Sequence, residues 1–210
     1  MTVNIPHQFR HVLLGLLNRP YMPRELLAGG RPLIVHVSDT PRTSFSFLLR
    51  FLRLLEPEYV IHTGDLVDDI KLEDQPGEIG SYERELIKFL RRLEQTSVEK
   101  VIIVPGNHDV GEMIKRYAER AVTVADGSVV ELAGLRLALS HKYQERYCAG
   151  DYYLFGHTPL PEHHRAGGTV CLNGIAAITV IEAPTRRLHY LPYPAGTDSV
   201  RTSRLAKPGL

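Results

Sequence analysis

Short apolar runs alternate with stretches of helical periodicity through the first half of the chain. Three runs, at 33–37, 59–61 and 101–104, have the length of buried strands. Between them, large apolar residues recur three and four positions apart, which is the spacing of one buried helix face. This alternation predicts a parallel sheet joined by right-handed crossover helices. The two predicted faces are Phe45, Leu48, Leu49, Leu52 and Leu55, and then Tyr82, Leu86, Phe89, Leu90 and Leu93.

The second half of the chain has shorter apolar runs and more turn residues. Residues 129–132 and 135–140 flank the dipeptide Ala133-Gly134, an arrangement typical of a hairpin with a two-residue turn. The predicted fold class is therefore α/β, with alternating helices and strands in the N-terminal half and mostly strands in the C-terminal half. Further strands are predicted at 152–155, 169–172, 175–181 and 188–191.

The two ends of the chain differ from the predicted domain at 33–192. Residues 1–32 contain several prolines and one amphipathic stretch at 9–17, so we expect an N-terminal arm with one helix. The arm either packs on its own domain or forms a contact with a partner, such as a homodimer. Residues 193–210 are rich in Pro, Gly, Ser and Thr without a period, which predicts a surface strap or a disordered tail.

Composition excludes several classes of function. The chain has 210 residues, with 25 Lys and Arg against 24 Asp and Glu, and its formal net charge is +1. Without a net positive field, we expect no nonspecific binding of nucleic acid. No apolar run is long enough to span a bilayer, so we expect no membrane association. The two cysteines suit neither a disulfide scaffold nor a CxxC metal site, which indicates a reducing, cytoplasmic location.

Polar residues that can bind metals or transfer protons follow several of the predicted strands. Ligand sites in α/β sheets form beyond the carboxyl ends of strands, so we expect these residues to lie together. Carboxylate, amide and imidazole ligands without thiolate suit a divalent transition metal in a catalytic site better than a structural zinc ion. The set comprises Asp39, Gly64-Asp65, Gly106-Asn107-His108-Asp109, His141 and Gly156-His157.

This ordered set resembles the motifs of the calcineurin-like metallophosphoesterase superfamily, and the compact form is similar to its small bacterial phosphodiesterase branch. The resemblance extends over about residues 33–191. It implies a four-layer αββα sandwich with a dinuclear metal centre at the sheet ends. The implied cofactor is one or two divalent ions per chain, with Mn as the first candidate and Fe, Zn or Ni as alternatives.

The resemblance also implies which residues bind the metals. Asp39 would bind the first metal, and Asp65 would bridge the two ions. The second site would be completed by Asn107, His141 and His157.

A catalytic pair is implied as well. His108 would protonate the leaving oxygen or stabilise the transition-state charge, while Asp109 would orient its imidazole and Asp68 would lie nearby. The implied activity is a metal-dependent phosphoesterase, in which a metal-activated hydroxide hydrolyses phosphodiester or phosphomonoester bonds of a small-molecule substrate.

Two positions depart from the family pattern. The motif D-x-H is here Asp39-Thr40-Pro41, and the motif G-H-x-H ends in Pro159. Because a proline side chain cannot bind a metal, we expect an incomplete first site with a weak, exchangeable ion. The alternative function is therefore a catalytically weak or inactive member of the fold that serves as a protein-binding subunit.

Two further histidines precede the candidate aspartates by three positions. His36 lies before Asp39, and His62 lies before Asp65. Side chains alternate faces along a strand, so this odd offset points each histidine away from its aspartate. We expect both to be buried and hydrogen-bonded in structural roles.

Overall fold

The computed structural model describes residue 20, residues 22–28 and residues 30–202. The helix predicted within the N-terminal arm, and any homodimer formed through it, therefore lie outside the described residues. The helices are α1 (Arg42–Leu55), α2 (Ile79–Glu94), α3 (Gly111–Tyr117) and α4 (Thr197–Thr202). The strands are β1 (Leu33–Val37), β2 (Tyr59–His62), β3 (Lys100–Ile103), β4 (Val122–Thr123), β5 (Ser128–Leu132), β6 (Leu135–Lys142), β7 (Tyr152–Gly156), β8 (His164–Ala166), β9 (Thr169–Asn173), β10 (Ile178–Glu182) and β11 (Arg187–Leu191).

These strands form two sheets. The first has six strands in the order β11-β10-β1-β2-β3-β4, and the second has five in the order β5-β6-β7-β9-β8. Strands β1 to β4 run parallel, whereas β10 pairs antiparallel with both β1 and β11. In the second sheet β6, β7 and β9 run parallel, and the edge strands β5 and β8 run antiparallel to their neighbours. Antiparallel edges on parallel centres are common in mixed sheets.

Helices α1 and α2 cover the outer face of the first sheet. Every residue of the two predicted helix faces is buried. Phe47 and Phe51, beside the first face, are buried in the same core as Leu26. Leu54, which also lies beside the first face, is by contrast 51% exposed. The apolar surface of α1 is thus wider than one stripe, and its additional buried residues share a core with Leu26 of the short 3-10 helix Arg24–Ala28.

The inner faces of the two sheets enclose a second core. Ile34, Ile61 and Ile102 come from the first sheet, and Leu137 and Leu154 come from the second. This packing places two sheets face to face, with helices on the outside. The α/β fold class implied by the resemblance is confirmed.

The outer face of the second sheet has a thinner cover than the first. Tyr153, Phe155 and Cys171 project to that side, and Tyr143 and Tyr147 pack over them. The cover comes from the loop after β6, which includes the 3-10 helix Glu145–Tyr147. The fourth layer is therefore a short helical loop instead of a long helix.

The segment after β11 returns to the sheet ends and includes α4, a helix that the sequence pattern did not predict. Tyr193 and Arg201 of this segment contact the loop after β1. Arg201 is only 8% exposed. The described part of the predicted strap is thus packed against the loop that carries Asp39. Among the described residues, no helix has the length and apolar character needed to cross a membrane.

Candidate active site and metal centre

The carboxyl ends of β1, β2 and β7 carry three polar side chains on unusual backbone. Asp39, Asp65 and His157 have φ values of 50°, 55° and 70°. This left-handed region costs a non-glycine residue on the order of 1–3 kcal/mol, so the surrounding structure must hold it. One stabilising contact is the hydrogen bond that the Asp39 amide donates to the Gly64 carbonyl, at 2.9 Å. Each strand end turns sharply and aims its side chain at a common point.

Glycine permits the loops to approach one another at two of these turns. Gly64 has a φ of 103°, and a Cβ atom there would collide with Nδ1 of His141. A Cβ atom on Gly156 would collide with the Ser38 hydroxyl. The glycines before Asp65 and His157 are therefore required by close packing of the loops around the site.

Four potential metal ligands meet at this point. One donor atom from each of Asp39, Asp65, His141 and His157 lies within 4.8 Å of the others. His141 comes from β6, where the pairing with β7 shifts register between Leu139 and Lys142. Irregular pairing of this kind re-aims a side chain at the end of a strand. The structure therefore brings together four of the five metal ligands that the sequence predicted.

Asn107, the fifth predicted ligand, adjoins the cluster in an arrangement that fits a cation. His141 Nδ1 donates to the Thr63 carbonyl at 2.7 Å, so in the neutral ring Nε2 carries the lone pair. That Nε2 lies 2.9 Å from Asn107 Oδ1 and 3.1 Å from His157 Nδ1. The Asn107 amide nitrogen donates to Glu73 at 2.7 Å, which turns its oxygen towards His141. Two acceptors that face each other without a hydrogen between them fit a bound cation.

Electrostatics in the cluster also favours a cation. Burial, and then the negative charge of Asp39, raises the pKa of Asp65 well above its ordinary value. Burial, followed by the neighbouring His141, lowers the pKa of His157 to about 4. A divalent ion binds deprotonated carboxylate and neutral imidazole, and would stabilise both. The residues present fit a divalent metal ion.

His108 lies beside the cluster and lines the cleft. Its backbone amide donates to Asp65 Oδ1 at 3.0 Å, which ties it to the metal ligands. Its imidazole Nε2 is 3.2 Å from the Asn107 amide nitrogen. Burial, and then the positive charge of Lys71, lowers the pKa of His108.

The structure gives Asp109 a different role from the one that the resemblance implied. Among the described residues, its hydrogen bonds do not reach His108. Its carboxylate instead accepts from the amides of Asp65, Leu66 and Gly106 at 2.7 to 3.0 Å, and from the Tyr82 hydroxyl. Asp109 therefore fastens the loop after β3 to the loop after β2, and positions His108 only through the backbone.

The first-metal half of the cluster differs from the second. Pro41 caps the start of α1 where the family places an imidazole, and Pro159 lines the cleft without a ligand atom. Asp39 Oδ2 accepts from the Ser38 hydroxyl at 2.5 Å and from the His157 amide at 3.0 Å. Asp68 lies nearby, 1% exposed and paired with Lys71.

Three residues at the site were not singled out from the sequence. Glu73 and Lys71 lie in the loop between β2 and α2, and Arg201 lies in α4. None belongs to a motif, and no periodicity marks either segment. They belong to the site because Glu73 contacts Asn107, Lys71 contacts Asp68 and Arg201 contacts the Asp39 loop.

His36 and His62 are buried and hydrogen-bonded, as predicted. His36 Nε2 is 2.9 Å from the Thr63 hydroxyl. His62 Nε2 is 2.9 Å from the Thr40 hydroxyl, and its Nδ1 accepts from Gly64. Both histidines are fully buried and brace the loops that carry the aspartates.

Comparison with a family model gives the first external similarity. The model described as calcineurin-like phosphoesterase matches residues 32–143, which is more than half of the chain. The matched segment contains Asp39, Asp65, Asn107, His108 and His141. No curated protein sequence matches this chain significantly.

Three solved structures are similar to this chain over most of its length. An archaeal phosphodiesterase is 16% identical, with a TM-score of 0.55, and the match covers 76% of this chain and 98% of that one. The Escherichia coli phosphoesterase YfcE is 16% identical, with a TM-score of 0.48 and coverages of 77% and 99%. A single mutant of Vps29 from Entamoeba histolytica is 17% identical, with a TM-score of 0.44 and coverages of 71% and 85%. At these identities the likeness concerns the fold alone.

Proposed function

The chain belongs to the calcineurin-like phosphoesterase family, and from that premise we propose that it is a metal-dependent phosphoesterase acting on phosphodiesters, with phosphomonoesters as the second substrate class. The observation that carries this proposal is the pair of acceptors, His141 Nε2 and Asn107 Oδ1, that face each other at 2.9 Å beside the His108 imidazole. A divalent ion and a proton donor are needed together for phosphoester hydrolysis, and these residues supply a place for both.

The residues that would hold the ion are Asp65, Asn107, His141 and His157. An ion bound there would lower the pKa of a water molecule and neutralise phosphoryl oxygens. Mixed oxygen and imidazole donors suit Mn first, with Fe, Zn or Ni as alternatives. Thr63 holds His141 in the tautomer that presents Nε2, and Glu73 holds the Asn107 oxygen towards the same point.

His108 would act on the leaving oxygen. Its ring lines the cleft, and in its protonated form it would give a ring proton to the oxygen as the phosphorus–oxygen bond breaks. Asp109 and Tyr82 hold the His108 loop in place. The cleft of about 560 Å³ is large enough for a small phosphodiester.

The second candidate function is a protein-binding subunit that has kept part of an old active site. Pro41 and Pro159 favour it, since each replaces a metal-binding imidazole of the family pattern. The presence of His108 and of the full second-metal set weighs against it, because a scaffold has no need of a proton donor.

The test is hydrolysis of bis-p-nitrophenyl phosphate and p-nitrophenyl phosphate by EDTA-treated protein, with and without added Mn²⁺. Asn107→Ala and His108→Ala are assayed beside the wild type, with a metal count for each. Turnover that requires Mn²⁺ and is lost in both variants supports the enzyme, and the ratio of the two rates identifies the ester class. Tight binding of an ion without turnover of either ester favours the protein-binding subunit.

A further inference from the structure

The first-metal half of the cluster contains buried negative charge but few neutral donors. Asp39, Asp65 and Asp68 are 3%, 1% and 1% exposed. Carboxylates buried at this depth need a cation or a proton nearby. Two basic side chains line the cleft next to them, Lys71 and Arg201. Lys71 is already paired with Asp68, which leaves Arg201 as the second basic group beside Asp39.

Arg201 is held in one position by hydrogen bonds to three separate segments. Nε donates to the Asp39 carbonyl at 2.7 Å, and Nη2 donates to the Ser38 carbonyl at 3.0 Å. Nη1 donates to the Ile175 carbonyl at 3.0 Å and to Asp198 at 3.1 Å. This number of contacts distinguishes Arg201 from a solvated surface arginine.

Tyr193 completes the support. The guanidinium carbon lies 4.0 Å from the centre of the Tyr193 ring. The Tyr193 hydroxyl donates to the Gly174 carbonyl at 2.6 Å and accepts from the Ser38 amide at 3.2 Å. The segment 193–201 is thereby fastened to the loop after β1, so that the C-terminal segment forms one wall of the candidate site.

The positive charge of Arg201 is available to the buried carboxylates. Three of its partners are neutral carbonyl groups. The fourth, Asp198, has an 83% exposed side chain, and solvent screens an ion pair of that kind strongly. A guanidinium keeps its charge at all ordinary pH values. In the poorly solvated site, that charge lies close enough to Asp68 to favour its ionised form, and it adjoins the Asp39 backbone.

We propose that Arg201 supplies, as a permanent side-chain cation, the positive charge that a first metal ion would otherwise supply, so that the chain binds a single divalent ion. The inference rests on the proposed function, because it concerns the same site. The single ion is held by Asp65, Asn107, His141 and His157. Arg201 does not touch the ion: besides supplying this charge, it positions the Asp39 loop.

A chain of hydrogen bonds from Arg201 to the second-metal half of the cluster supports this role. Arg201 holds the backbone of Asp39, whose φ of 50° requires support. Asp39 Oδ2 then accepts from the amide of His157 at 3.0 Å. Helix α4 therefore positions His157, a residue of the second-metal half, through two consecutive hydrogen bonds.

Counting bound Mn²⁺ tests the inference without an activity assay. EDTA-treated full-length protein is titrated with Mn²⁺ by calorimetry, and the bound ions are counted by mass spectrometry. We expect one ion in the wild type and a second in Arg201→Gln, which loses the charge but keeps polar atoms. Arg201→Lys retains the charge and should bind one ion. Tyr193→Phe is the matched control, because it removes hydroxyl contacts of the same segment without a change of charge, and should also bind one.

Each outcome separates this inference from the proposed function. Two ions of similar affinity in the wild type overturn the inference and leave the phosphoesterase proposal standing, whereas no bound ion overturns both. One ion in a folded Arg201→Gln also overturns the inference. If Arg201→Gln does not fold, Pro41→His takes its place. That variant restores a first-site imidazole while Arg201 remains, and we expect one ion; two ions would overturn the inference.

Discussion

The two halves of the candidate metal centre both lie at strand ends, but they differ in the polar groups that they bury. In the second half, Asn107, His141 and His157 turn neutral acceptors towards one point. In the first half, proline stands at both imidazole positions, and carboxylates lie beside Lys71 and Arg201. Converging neutral acceptors are satisfied by an added cation, whereas carboxylates can also be balanced by a side chain of the protein.

The difference shows that a metal site can lose part of its ligand set without losing its architecture. Asp39 still has its left-handed backbone, and its carboxylate still accepts from His157. Through that hydrogen bond it also positions the second half. Four changes test the contrast between the halves.

The largest effect is expected from His108→Ala. Loss of a proton donor costs about 10²- to 10⁴-fold in turnover, while the ligands of the second half remain and the ion count stays unchanged. Steady-state hydrolysis of bis-p-nitrophenyl phosphate measures the change. His189→Ala is the control, because His189 lies on β11 and pairs with Glu182. Equal losses in the two variants would contradict a special role for His108.

Asp68→Asn tests the charge balance of the first half. Burial, and then the negative charge of Asp39, raises the pKa of Asp68 from its ordinary value of 3.8 to about 6. Its folded state holds the proton more tightly than the unfolded state, so metal-free stability falls as pH rises through this window. The variant should therefore be more stable by up to about 3 kcal/mol at pH 8, and should match the wild type near pH 3.

Urea unfolding of EDTA-treated protein at the two pH values measures this difference. The wild type at low pH is the internal control, since Asp68 is protonated in both states there. A variant that is less stable at pH 8 would show that the Lys71 pair outweighs the cost of burial.

Glu73→Gln tests the second half. Residues that orient metal ligands typically contribute 10- to 100-fold in affinity, so Mn²⁺ binding should weaken by about that factor. The physical reason is that the Asn107 amide loses its charged acceptor and can turn its oxygen away from His141. Calorimetric titration measures the affinity. Glu78→Gln, an exposed change in the same loop, should leave it unaltered, and an unaltered Glu73→Gln would argue against amide positioning.

The fourth change concerns the histidines that brace both halves. Burial lowers the pKa of His36 and of His62 to about 3. The unfolded chain therefore takes up protons first as pH falls below 6.5, and each histidine removes about 1.4 kcal/mol of stability per pH unit down to about pH 3. Above pH 6.5 their contribution is constant.

In His36→Gln, the free energy of unfolding should fall less steeply with decreasing pH, by about 1.4 kcal/mol per pH unit, because one buried histidine is removed. Gln can still reach the Thr63 hydroxyl, which makes the variant a conservative one. Urea unfolding between pH 6.5 and pH 4.5 measures the slope. An unchanged slope would mean that His36 is protonated in the folded protein.

Several parts of the fold could be predicted because they depend on local periodicity. The stripes that contain Leu48 and Leu86 follow the 3.6-residue period, and each lies buried on its helix. The Ala133-Gly134 turn was predictable because two apolar runs flank a two-residue segment that contains glycine, and both residues have positive φ in the structure. By contrast, α4 is too short to show a period, and strand β4 has two residues.

By itself the sequence determined the two core faces, the succession of helices and strands along the first half of the chain and the polar residues at the strand ends, because helical and strand periods and motif spacing are local properties of the chain. It also determined that Pro41 cannot bind a metal. Tertiary structure decided that Asp109 fastens loops, that Glu73 orients Asn107 and that Arg201 lies beside Asp39. These contacts join residues 34 to 162 positions apart, and no local pattern encodes a hydrogen bond that forms only when the chain has folded.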